Sequence, residues 1–148
     1  MNVSITITGD KDFQCRLSAL GTSINDMPDA MRQIGQYLTA FYAGEVFASQ
    51  GGVINKLWPR LSVPYETWKA KNFPGRPPLI RSGVMQNSFK FQSGSNFAII
   101  RNSADYFRYH QLGTRKMPAR VMFAVDDARA KAIGEIVRKE VMRKVAAV

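Results

Sequence analysis

The chain has 148 residues, 45% of them hydrophobic, one cysteine and a formal net charge of +10. This is enough chain for one domain over 1–148 with one core; the composition excludes global disorder, and the lone cysteine excludes an intrachain disulfide framework. No apolar run is long enough to span a bilayer, and Met1-Asn2-Val3-Ser4 does not open a basic-then-apolar secretory signal, so neither is expected.

Val3, Ile5 and Ile7 alternate with Ser4, Thr6 and Thr8, which predicts a half-buried strand, with Gly9-Asp10 turning the chain. Phe13, Leu17 and Leu20 share one helical face, and Gly21 is expected to close that short helix. Cys15 falls in this pattern and is expected to be a buried structural thiol, in keeping with a reducing cytosol. The strongest helix signal follows. Asn25 or Asp26 can cap it, Pro28 suits its first turn, and Asp29 complements its dipole. Met27, Met31, Ile34, Leu38 and Phe41 form one stripe, so about twenty helical residues should run to the stop at Gly51-Gly52.

Residues 51–82 change character. Pro59, Pro64, Pro74, Pro77 and Pro78 forbid long regular elements, leaving room for one or two helical turns over Tyr65 to Lys71. The segment also holds Trp58 and Trp68 beside Tyr65 and Phe73. Lys56, Arg60, Lys69, Lys71, Arg76 and Arg81 stand there against the single acid Glu66. Aromatic and Arg anchors on an irregular segment point to a partner surface; equally, the tryptophans can pin the segment to its own domain. Beyond Gly83, Phe89 and Phe91 alternate with polar residues, Ser93 to Asn96 turns, and Phe97 to Ile100 returns, predicting a hairpin. Asp105 to Gln111 reads as a helix ending at Gly113, and Val121 to Val125 as a short apolar strand. Asp126 or Asp127 caps a final helix whose stripe is Ile133, Ile136, Val137, Val141 and Val145. Together these elements predict an α+β fold. In it a small, mostly antiparallel sheet is packed by the long helix from Pro28 and by the C-terminal helix, with a long Pro/Gly-rich loop.

Charge is unevenly placed. Residues 1–50 hold three basic and five acidic side chains, residues 51–124 twelve and two, and residues 125–148 six and four. The middle of the chain therefore carries the imbalance. It suits an anionic partner, either DNA or the acidic face of another protein, or else a surface kept soluble by charge. The paired bases Arg138-Lys139 and Arg143-Lys144 sit near the negative end of a helix dipole, the ordinary stabilising placement.

Catalysis has little to stand on. His110 is the single histidine, and residues 51–124 offer only Glu66 and Asp105 as carboxylates. Structural zinc and two-metal sites need more ligands than that, and no phosphate-binding loop or nucleophile elbow occurs. No cofactor or metal site is expected, and the enzyme class is disfavoured. A small metal-dependent hydrolase using Glu66, Asp105 or His110 is the weakest alternative. Basic residues scattered through loops match no sequence-reading DNA motif, although non-specific phosphate contact needs only Lys and Arg.

Three blocks stand out in residues 51–124. The first is Trp58-Pro59-Arg60-Leu61-Ser62, then Tyr65 and Lys69. The second is Pro78-Leu79-Ile80-Arg81-Ser82-Gly83-Val84-Met85, then Ser88. The third is Tyr106, Tyr109-His110-Gln111-Leu112-Gly113-Thr114, then Met117-Pro118-Ala119-Arg120 into Met122-Phe123. In their order and spacing these blocks resemble the phage virion morphogenesis and tail-completion family. Many relatives have Phe where Leu112 stands and Leu where Val84 stands, both mild apolar exchanges.

The resemblance implies a structural, non-enzymatic virion protein of a long-tailed phage, assembled in the bacterial host cytoplasm. Copies would form a ring at the head–tail junction or tail end and contact adjacent neck or tail proteins and possibly the DNA passing through. Six copies are expected, with twelve as the rival. The 1–50 and 51–124 segments offer faces of opposite charge for such a ring. The rival reading is a DNA-contacting protein using the basic 51–124 segment. Partner contact is expected at Trp58, Arg60, Tyr65, Trp68, Lys69, Arg76, Arg81, Arg115, Lys116 and Arg120. Gly83, His110, Gly113 and Pro118 are expected to shape the motif. Gly83 and Gly113 suit backbone conformations that other residues resist, His110 and Gln111 can bond a helix end or the next loop, and Arg120 can clamp a carboxylate.

Overall fold

The computed structural model describes residues 10–147. The strand expected at Val3–Ile7 lies outside the described residues. Helix α1 spans Asp10–Ile24 and passes through Gly21, which therefore does not end it. Cys15 and Leu17 on α1 are exposed, which corrects the buried reading of the thiol. The apolar residues of α1 are too sparse for its face to be covered.

Helix α2 spans Pro28–Ala43 and is followed, after a break at Gly44, by the single turn α3 over Glu45–Ala48. The long helix thus has its expected extent, in two pieces. Its cap does not follow the expectation. The N-cap is Met27, with no side-chain bond from Asn25 or Asp26. Instead the Met27 amide donates to the Ser95 carbonyl at 2.6 Å, and the buried Met27 side chain fixes the entry. A tertiary contact has replaced the local cap.

A 3-10 turn at Gly52–Ile54 leads to helix α4, Val63–Asn72, which is longer than one or two turns because Pro64 sits in its first turn, where no amide partner is needed. The turn α5 covers Val84–Asn87. Strands β1, Phe89–Ser93, and β2, Ala98–Asn102, pair antiparallel with Phe91 opposite Ile100 and Ser93 opposite Ala98. Helix α6 is Phe107–Leu112 and α7 is Asp127–Ala146. The fold is α+β. Helix α2 lies across the hairpin and also meets α7, while α7 meets α1, where Lys144 Nζ bonds Ser23 Oγ at 3.2 Å.

The core gathers Ile34, Leu38 and Phe41 of α2 with Val46, Phe47, Met85 and Met122. Phe89 sits at its centre, with ring centroids of Phe123 at 5.3 Å and Phe107 at 5.7 Å in edge-on contact. Gly35 lets α2 approach β1: a Cβ there would press into the Phe91 ring, within 2.7 Å of its Cγ. Val121–Val125 is not a strand. Its backbone pairs with a side chain and not with another strand: Gln111 Oε1 accepts from the Met122 and Phe123 amides at 2.8 and 3.0 Å, and Gln111 Nε2 donates to the Phe123 carbonyl. Asp126 caps α7, accepting from the Arg129 amide at 3.0 Å. The α7 stripe is only partly covered; Val145 is exposed, and the one buried α7 residue is Glu140, paired with Arg143 at 2.6 Å.

Candidate partner-binding site

The three sequence blocks converge. Residues drawn from 60–69, 79–85 and 106–120 line one groove of about 540 Å³ between α4, α5 and α6. Arg60, Tyr65, Lys69, Arg81, Lys116 and Arg120 all face it, with His110, Gly83 and Pro118. Leu61, Ser62, Leu79, Tyr106 and Met117 also line it. Leu79 and Tyr106 belong to the quoted motifs, but nothing local in the sequence marks them as an apolar wall.

Trp58 is turned into its own domain. It is 5% exposed, packs edge-on against Phe47, and its Nε1 donates to the Val121 carbonyl at 2.8 Å. Of the two roles weighed for the tryptophans, Trp58 therefore pins the segment to its own domain. Trp68 takes the other position. It lies on the exposed side of α4, stacked on Tyr65 at 5.6 Å and beside Phe73 at 5.8 Å, outside the groove. Arg76 borders a second hollow, and Arg115 sits exposed on the turn between Thr114 and Met117, whose backbones bond each other. Arg60 is exposed and pairs loosely with Glu66 at 3.5 Å.

Arg120 is 4% exposed and, among the described residues of its own chain, pairs with no carboxylate. Its Nε donates to the Pro59 carbonyl and its Nη2 to the Arg60 carbonyl, both at 2.9 Å. Its own amide donates to the His110 carbonyl at 2.7 Å. A guanidinium presents donors in a fixed fork, so it can hold two successive carbonyls where an ammonium could not. Lys69 is the one buried side chain of α4, and its ammonium donates to the Pro77 carbonyl. Burial and, next, the nearby Arg120 charge push the Lys69 ammonium below its ordinary range. Burial and then Arg120 likewise hold His110 below the usual imidazole value, and its buried Nδ1 has no hydrogen-bond partner among the described residues. Burial lowers the Arg120 guanidinium, offset in part by Tyr65.

Two glycines set the groove's edges. Gly83 has φ +83° at the start of α5. Gly113 has φ +74° and ψ 170°, a region that only glycine enters readily, and a Cβ there would lie 2.7 Å from the Ala119 amide nitrogen. Tight apposition of 113 and 119 turns the chain so that Pro118 and Arg120 reach the groove.

Arg81 extends over the Phe73 ring at 5.5 Å, linking the groove's rim to the aromatic face of α4. Helix α4 makes little contact with the other helices or strands; it rests on neighbouring loops through Lys69 and leaves most of its residues exposed. Among the described residues no helix is long and apolar enough to cross a membrane. The family model described as the phage virion morphogenesis family matches residues 9–142. No curated protein and no solved structure matches the chain.

Proposed function

The chain belongs to the phage virion morphogenesis family, a structural and assembly role associated with the phage virion, and from that premise we propose that it is a non-enzymatic ring subunit. Copies close around the tail axis at the head–tail junction or tail end, completing the tail so that it joins the filled head. A closed ring needs one face of each copy to meet a different face of the next.

The observation that carries this reading is the exposed face of α4. A helix that buries only Lys69 and leaves Val63, Tyr65 and Trp68 exposed has no role in its own core. Large apolar side chains left in water mark a surface that another protein covers. Leu57, Leu112 and Val125 are also strongly exposed and add apolar area for assembly. Adjacent neck or tail proteins are the second class of partner, and the basic groove faces one of them.

The test is a phage whose copy of this gene is interrupted. Electron micrographs of its lysate should show filled heads and separate tails that do not join. Intact infectious particles at normal yield would overturn the proposal.

A further inference from the structure

The groove's charge is unbalanced in a way that folding alone does not require. Five cations border it, Arg60, Lys69, Arg81, Lys116 and Arg120, and among the described residues no Asp or Glu lines it. Lys69 and Arg120 at its floor are each 4% exposed and are held by backbone carbonyls, with no carboxylate paired to either among the described residues. Buried charges are ordinarily paired, and carbonyl dipoles offset only part of the cost. The unpartnered Nδ1 of His110 lies at the same place. An anion seated here would relieve all three groups at once.

We infer that this groove binds a carboxylate-bearing peptide segment of another protein, its carboxylate directed at Lys69 and Arg120 and its apolar side chains lying along the groove walls. This deepens the proposed role, because it names the chemistry of one neighbour. The walls decide between anions. Tyr65, Leu79, Tyr106, Met117 and Pro118 present aromatic and apolar surface that suits peptide side chains. A duplex backbone instead needs cations exposed on an open face, and the floor cations here are out of its reach.

Charge also decides between sources. A second copy brings its own net +10. In residues 14–50 Asp29 is already paired with Arg32 at 2.8 Å, leaving Asp26 and Glu45 as the exposed acids with no ion pair among the described residues. An acidic protein brings attraction over the whole surface as well as at the groove.

The experiment is fluorescence anisotropy on the isolated chain with a fluorescein-labelled peptide in which Glu alternates with Leu and Phe. The controls are the same peptide with Gln for Glu and a labelled DNA duplex. Lys69 and Arg120 support the fold, so the rim variant Arg81→Gln with Lys116→Gln is used, its folding checked by thermal melting. Lys139→Gln on α7 is the remote control. The Glu peptide should bind; replacing its Glu by Gln and introducing the rim variant should each weaken binding by about tenfold or more, with Lys139→Gln unchanged.

Equal binding of Glu and Gln peptides, no binding of either, or a rim variant that binds as well as the parent would overturn the inference. So would a duplex that displaces the peptide, which would make the groove a phosphate site. Self-association abolished by the rim variant in place of peptide binding would assign the groove to a second copy. None of these results bears on whether heads and tails join, so the ring proposal stands or falls separately.

Discussion

Arg120 reaches across sixty residues of chain to the carbonyl of Arg60, 2.9 Å from its Nη2, and holds the neighbouring Pro59 carbonyl with its Nε. One buried guanidinium thus joins the third sequence block to the first. Arg120→Ala leaves two carbonyls short of a donor and should cost about 2–3 kcal/mol of stability. Arg120→Lys should recover less than half of that, since one ammonium cannot replace the fork. Urea unfolding of the three proteins checks both; a stable Ala variant would show that the clamp is dispensable.

Gly113 is confined by its backbone and by the Ala119 amide together. Gly113→Ala should destabilise the chain by about 3 kcal/mol or more, combining a strained conformation with a backbone clash. The loss should appear as a lower midpoint in chemical denaturation with an unchanged slope.

Gly35 has a different reason for being glycine. Its backbone is ordinary helix, and the constraint is the Phe91 ring against α2. Gly35→Ala gains helix propensity of about 1 kcal/mol but overpacks the helix–hairpin contact by about 1–3 kcal/mol. Net destabilisation is the expected result. Combining it with Phe91→Leu should restore part of the loss, which a double-mutant cycle would read.

His110 gives the chain a pH dependence. Its folded pKa is held below the unfolded value by burial and by Arg120. The unfolded state therefore binds the proton more readily, and stability falls as pH drops below about 6.5, the unfolded imidazole value. The melting temperature should decline between neutral and mildly acid pH. His110→Gln should flatten that decline, and an NMR titration of the imidazole should show a midpoint below the free value. A midpoint at or above it would contradict the account.

The sequence was informative where its signals were local. The stripe from Met27 to Phe41, the alternation at Phe89 and Phe91 and the Asp126 cap all correspond to observed elements, because periodicity and capping are set by near neighbours. It was uninformative where a distant group supplied the bond. Met27 takes its partner from the hairpin turn, Val121–Val125 pairs with the Gln111 amide, and Trp58 finds Val121. The groove illustrates both cases. Its charged members could be picked out by composition, but their division into a buried floor and an exposed rim depends on how α4 folds back. That separation puts Lys69 and Arg120 inside and leaves Arg60, Arg81 and Lys116 at the edge.

The central claim is that this chain is a ring-forming part of the finished particle. The direct measurement is electron microscopy of purified virions that carry a tagged copy of the chain, with the label located along the particle. The account predicts label in a closed ring at the head–tail junction or the tail end. A chain absent from purified virions, or found only with the packaged DNA, would contradict it.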